Sequence, residues 1–243
     1  MISLLSMSLY FDYYFLGIIL IPGIILGAIA ESKVQSAFTK NASIFASSGI
    51  KASEAARRLL DTAGLNHISV NRIGGNLTDN YNPRKKSINL SVDVYDSSSL
   101  SSLGVMAHEV GHAIQHKKKY FPLMLRQVLI PINNLVSKLL WPILIIGLMT
   151  NFIFFVADVG MIFIYAGIGM FALTTLISLI TLPVELNASK RAYSLLTESG
   201  ILLEEEIPNV KQVLNAAALT YVASLVVSIL NLLRFVLIFK DRD

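Results

Sequence analysis

The sequence predicts an α-helical integral membrane protein, with about four transmembrane helices and a small α+β region at the cytoplasmic membrane surface. Three observations predict it. Of 243 residues, 54 % are hydrophobic and only 15 % charged, with a mean hydropathy of +0.62, whereas soluble domains carry about a quarter charged residues. Four apolar segments reach, or nearly reach, the roughly 20 helical residues that cross a hydrocarbon layer. Between the first two lies a stretch that alternates like a strand, then turns helical and carries three of the chain's four histidines.

The apolar segments are residues 14–30, 139–157, 159–182 and 216–239. The first ends Ala28-Ile29-Ala30, the spacing of a signal-peptide cleavage site. It lacks the basic flank such a peptide needs, and Asp12 is the only charged side chain before it, so the segment is expected to stay as an anchor. The second and third are separated only by Asp158, which is expected to mark the tip of a tight helical hairpin. In the fourth, Arg234 lies near enough to the end to reach the headgroups.

Charge orients the chain. Residues 31–138 hold 14 Lys/Arg against 7 Asp/Glu, and residues 139–182 hold no Lys or Arg. Cytoplasmic flanks carry the Lys/Arg excess, which places 31–138 inside, the Asp158 tip outside and 183–215 (Lys190, Arg191, Lys211) inside again. Both termini then lie outside. The expected division is an anchor at 1–30, a cytoplasmic region at 31–138 ending in an interfacial helix over 120–140, a transmembrane hairpin at 139–182, a second cytoplasmic segment at 183–215, and a last helix and tail at 216–243. A net charge of +4 gives no reason to expect nucleic acid, and four N-x-S/T sequons (Asn41, Asn76, Asn89, Asn187) are read as chance.

Within 31–138, Ser53 is expected to cap a helix through EAARRLLDTA that Gly64 stops. Residues 87–95, SINLSVDVY, alternate with a period of two and predict a half-buried strand. Residues 67–73 are expected to pair with it across the turn-rich GGNLTDNYNPRKK, and the strand is a candidate to receive an extended peptide at its edge.

Asp96 and the serines at 97–99 then offer caps for a helix from Leu100 to about Lys118. His108 and His112 are four residues apart, so they lie one above the other on one helix face, about 6 Å apart along the axis. Two imidazoles so placed can grip one zinc ion. Glu109, turned by about 100° from His108, sits beside the metal rather than on it, within reach of a water there. That is the arrangement of two ligands and a general base. His116, a further turn along, would stand about 12 Å from His108 along the axis and is read as lying behind the ligands or at the surface. His67 is read as structural. Cysteine is absent, so any metal is held by His and carboxylate. The lysines at 117–119 suit a solvated, headgroup-facing helix end.

A catalytic zinc keeps three protein ligands and one open position. Glu185, just past the third apolar segment and on the same predicted side as the HEVGH helix, is either that third ligand or an interfacial carboxylate at a helix start. The residues alone leave both open.

The chain resembles the YugP-like neutral zinc metallopeptidases of the bacterial membrane. The likeness runs through EAARRLL, GNLTDNYNPRKKSINLS, LGVMAHEVGHAIQH, TLPVELNASKRA and VLNAAALTYVASL. It implies a zincin-like catalytic region, one Zn2+ per chain held by His108, His112 and Glu185, Glu109 as base, and peptide bonds of membrane or membrane-associated proteins as substrate, in a multi-pass protein of the cell membrane. It is also distantly similar to membrane peptidases with an E-x-x-x-D glutamate motif. This chain has Ser189 where that aspartate falls, so an aspartate behind the histidines comes from elsewhere or is absent. Tyr81, Tyr193 and Arg191 are candidates for the donor that steadies the reacting carbonyl oxygen.

Three other functions fit less well. An intramembrane-cleaving protease needs its metal inside a spanning helix, but only about 14 residues lie between Ser102 and Lys117, too few to cross; Asn82-Pro83 also lacks the Asp-Gly that follows in such enzymes. A zinc-binding scaffold or chaperone without turnover would have no use for Glu109. A transporter would need charges facing one another within the spans. Substrate identity and oligomeric state are not legible.

Overall fold

The apolar segments form helices longer than themselves. In the computed structural model, which describes residues 16–154 and 156–239, a 3-10 turn at Leu16–Leu20 leads into α1 (Ile21–Ala42). The others are α5 (Phe121–Phe152), α6 (Ala157–Glu198) and α7 (Ile207–Phe239). Among the described residues these are four helices long and apolar enough to cross a membrane. At 1.5 Å per residue, the 42 residues of α6 extend about 63 Å, twice the hydrocarbon thickness. The excess arises because the apolar runs continue into more polar residues within the same helix, across Pro131 in α5 and Pro183 in α6. Tyr14, Phe15, Asp12 and Lys240-Asp241-Arg242-Asp243 lie outside the described residues.

Two expectations on this part are corrected. Helix α5 ends at Phe152 and α6 begins at Ala157, so Asp158 lies inside a helix and not at the tip of the hairpin. The N–H groups of Ile153 and Phe154 both donate to the Met149 carbonyl, and Val156 donates to Thr150, which closes α5. Asp158 instead occupies the first turn of α6, where the helix dipole favours a carboxylate. Nor do residues 120–140 form a separate interfacial helix. Phe121–Phe152 is continuous despite Pro131 and Pro142.

The chain divides into two compact units. The first comprises the described residues up to Ile29, together with Leu125–Leu182 and the chain from Tyr221. Its core joins Leu140, Leu144, Ile164, Phe171, Phe235 and Ile238. Phe171 stacks on Phe235 with ring centroids 4.8 Å apart, and Thr175 shares a hydrogen bond of 2.8 Å with Ser228.

The second unit, Ala30–Met124 with Pro183–Thr220, holds the remaining elements. These are α2 (Ala52–Thr62), β1 (Ser69–Ile73), β2 (Asn80–Asn82), β3 (Ser87–Ser91), the single turn α3 (Val92–Tyr95) and α4 (Leu100–Lys117). Helix α2 buries Ala52, Ala55, Ala56, Leu59 and Leu60, one stripe at helical spacing, and Gly64 ends it at φ +63. Its cap is Lys51, not Ser53, which lies inside the helix; the chain enters through the extended backbone of Lys51 without a side-chain cap. Leu60, Ile88, Leu90, Leu103 and Met106 are fully buried in one core, each worth about 1.5–3 kcal/mol.

The sheet order is β1-β3-β2, with β1 parallel and β2 antiparallel to β3. Residues 67–73 therefore do pair with the alternating segment, but from Ser69 and in parallel, while the turn-rich connection supplies β2. The strand also stops early. The Ser91 N–H and hydroxyl both bind the Asp79 carboxylate, and Val92–Tyr95 turn helical. β1 pairs with β3 over all five residues and β2 with Ser87, Ile88 and Asn89, so β3 lies between two strands rather than at the sheet edge that the sequence expectation gave it.

Candidate metal centre

Helix α4 starts where the side chains let it. The Ser99 hydroxyl accepts the Ser102 N–H, so of the four offered caps Ser99 is the one used. Asp96 pairs with Arg72 at 3.0 Å instead. The helix then buries nearly every residue from Leu100 to Gln115.

His108 and His112 stand on one face of α4, their rings edge to face with centroids 4.7 Å apart. Residues 183–198, the last part of α6, lie against them. At Gly111 an added β-carbon would come within 2.7 Å of the Ala188 carbonyl oxygen; the lack of a side chain there is what lets the two helices approach. This approach brings in Glu185, only 1 % exposed. Its Oε2 lies 3.1 Å from His108 Nε2 and 3.5 Å from His112 Nε2. One ligand atom from each of the three residues lies within 4.8 Å of the others.

These distances fit a metal. Ligands about 2.0–2.1 Å from a tetrahedral zinc are about 3.3 Å apart, which the two carboxylate–imidazole distances bracket. The outer nitrogens have partners of their own. His108 Nδ1 is 3.2 Å from the Ser189 hydroxyl, and His112 Nδ1 is 3.0 Å from Gln115 Oε1. Both Nε2 atoms thus face the shared point. Electrostatics agree: burial opposes charging His112, but the hydrogen bond to Glu185 and the charges of Glu109 and Glu185 outweigh it and raise its pKa. The same two carboxylates that raise it would favour a bound cation.

Glu109 stays apart from the converging three. It is 9 % exposed, beside the histidines, close enough for His112 to feel its charge. His116 is not in the group; its Nδ1 meets the Tyr81 hydroxyl at 2.8 Å, tying α4 to β2. His67 is exposed on the surface. Of the other carbonyl-oxygen candidates, Arg191 donates its Nε to Asn187 at 2.8 Å, and Tyr193 is exposed with the Lys211 ammonium 5.8 Å from its ring centre.

Sequence reasoning missed Gln115 and Asn187. Gln115 is fully buried; its Nε2 donates to the Val184 carbonyl at 2.8 Å and to Asn187 Oδ1 at 3.0 Å. The one available signal was a glutamine amid the apolar and small residues that follow His112. No aspartate is placed behind either histidine by these contacts; a hydroxyl and an amide take that position.

The family described as "Putative neutral zinc metallopeptidase" matches residues 16–240. The chain is 42 % identical over 215 residues to a protein of Bacillus subtilis (strain 168) described as "Putative membrane protease YugP", covering 88 % of this chain and 92 % of that one. No solved structure matches the chain.

Proposed function

This chain belongs to the family described as putative neutral zinc metallopeptidases, and from that premise we propose that it is a membrane-bound zinc endopeptidase. The observation that carries the proposal is the convergence of two imidazole Nε2 atoms and one buried carboxylate on a single point. Three protein ligands leave a fourth position for reaction, whereas structural zinc sites are closed by four.

In this reading His108, His112 and Glu185 would hold one Zn2+, which when bound would supply Lewis acidity and ease the ionisation of a water. Glu109 takes the proton of the attacking water and passes it to the nitrogen of the leaving amine. Its burial serves that role, since charge acts more strongly where water is scarce. Gln115 and Ser189 hold the rings so that Nε2 points inward. Substrates are peptide bonds of membrane or membrane-associated proteins, a class supported by the name of the Bacillus relative and by the four apolar helices. The Lys/Arg excess of residues 31–138 supports a plasma-membrane protein with its reaction on the cytoplasmic side.

The test is metal analysis of the purified protein with cleavage of a fluorescent unfolded protein such as casein. Wild type is expected to hold one zinc and to cut. Glu109→Gln is expected to keep the zinc and lose about 10²–10⁴-fold in rate, and His108→Ala to lose both. Cleavage by Glu109→Gln at the wild-type rate would remove Glu109 from the mechanism, and a wild type without zinc would end the proposal.

A further inference from the structure

We infer that Gln115 is the positioning residue of the metal site: it fixes the His112 ring as the tautomer with hydrogen on Nδ1, and it fastens that ring to the segment that carries Glu185. The inference rests on the zinc site proposed above, though not on its peptidase chemistry.

The hydrogen-bond polarity follows from groups that have no choice. The Val184 carbonyl can only accept, so the Gln115 atom 2.8 Å from it is the NH2 group. The second amide hydrogen goes to Asn187, 3.0 Å away. There the accepting atom must be oxygen, because the Arg191 guanidinium, which can only donate, also points to it at 2.8 Å. Both ends of the Gln115 amide are thereby settled, and its oxygen faces His112 Nδ1 at 3.0 Å. An amide oxygen cannot donate. Nδ1 therefore carries the hydrogen, and in the neutral ring the free lone pair lies on Nε2, the nitrogen turned to Glu185.

His108 is different. Its Nδ1 partner is the Ser189 hydroxyl, which can either donate or accept and so imposes no tautomer. The decision rests with Gln115 alone of the two. The same side chain also grips Val184 and Asn187, which lie on either side of Glu185 in sequence. Ring orientation on α4 and carboxylate position on α6 thus depend on one buried amide.

Two substitutions separate positioning from mere support. Gln115→Glu keeps an oxygen for the Nδ1 hydrogen but sets a carboxylate against two acceptors, Val184 and Asn187. Gln115→Met removes every one of these bonds. Zinc affinity is measured by chelator competition on the full-length protein in detergent, and the Tm of the metal-free protein is measured beside it. Expected is a zinc affinity about 10–100-fold weaker in Gln115→Met, with Gln115→Glu near wild type although its metal-free Tm falls at least as far. Wild-type affinity in Gln115→Met, or affinities that follow the metal-free Tm values, would overturn the inference. If neither variant folds, Asn187→Ala decides: about tenfold weaker zinc binding is expected, and an unchanged affinity refutes it. His108→Ala serves as the control, because wild-type zinc binding there would refute the metal site itself rather than the role of Gln115.

Discussion

Gly111 and Ala188 meet with no side chain between them: a β-carbon at 111 would stand 2.7 Å from the Ala188 carbonyl oxygen and 3.4 Å from its Cα. The obstacle is backbone, which cannot swing aside. Since His112 follows one of these residues and Ser189 the other, the closeness of the two helices and the gathering of His108, His112 and Glu185 are one fact. Gly111→Ala is expected to destabilise the fold by about 1–3 kcal/mol and to weaken zinc binding. Melting curves with and without zinc check it: the zinc-dependent part of Tm shrinks more than the metal-free Tm falls.

Glu185→Gln keeps the side-chain volume and removes the charge opposite both imidazoles. Zinc affinity is expected to drop by more than the roughly 10–100-fold seen when a ligand's outer partner is lost. Zinc at about 100 times its Kd stabilises the folded protein by about 2.7 kcal/mol. That increment is expected in wild type, removed by a chelator, and missing from Glu185→Gln at the same zinc concentration.

Ser189→Ala leaves His108 Nδ1 without the hydroxyl 3.2 Å away, and about tenfold weaker zinc binding is expected. Ser189→Asp places an acceptor at the same distance along the helix and is expected to bind zinc at least as well as wild type. Chelator competition ranks the three proteins. An aspartate variant weaker than the alanine variant contradicts the role given to this position.

Glu206 governs acid stability. Its Oε1 accepts the Ser47 N–H at 2.6 Å and the Ser47 hydroxyl at 2.8 Å, and its Oε2 accepts the Leu203 N–H at 2.8 Å. Burial opposes its ionisation, but these hydrogen bonds outweigh it and lower the pKa below the ordinary 4.5. A folded-state pKa below the unfolded one gives stability that is present above the unfolded pKa and lost as pH falls through the folded one. Glu206→Gln is expected to melt lower than wild type at pH 7. Below about pH 4.5 the difference narrows, and it closes once the carboxyl is protonated in both states. A Tm difference constant from pH 7 to pH 3 contradicts it.

Gly160 allows α5 and α6 to lie close after their bend: an added β-carbon would come within 2.6 Å of the Asn151 Cβ and 2.7 Å of its backbone nitrogen. Gly160→Val is expected to cost about 1–3 kcal/mol, read as a lower Tm, while zinc affinity per folded molecule is unchanged.

Much of this architecture was legible because it is written in long or local signals. Four apolar segments are visible by length, and α4 by a serine cap followed by helical spacing. The stop at Gly64 is a single residue with a single mechanism. The failures are equally physical. Val92 and Val94 extend an alternating pattern, yet the Asp79 carboxylate, twelve positions before Ser91, ends the strand. Asp158 looks like a turn in an apolar run, but a carboxylate also suits a helix start, and α6 has already begun at Ala157. At the site, the pair His108 and His112 is local and readable. Glu185 could be singled out only as one of two open readings, since its meeting with them depends on how α4 and α6 approach at Gly111. Gln115 and Asn187 were hidden because an amide network between distant residues leaves no periodicity behind.

His108 and Glu185, proposed to share one ion, are 77 positions apart, with the whole of α5 and much of α6 between them. A growing chain that has made only the HEVGH helix has two imidazoles and a base but no third grip on an ion. The proposed three-ligand centre is therefore assembled only when both intervening helices are in place. An enzyme of the proposed kind would thereby stay idle while it is being made.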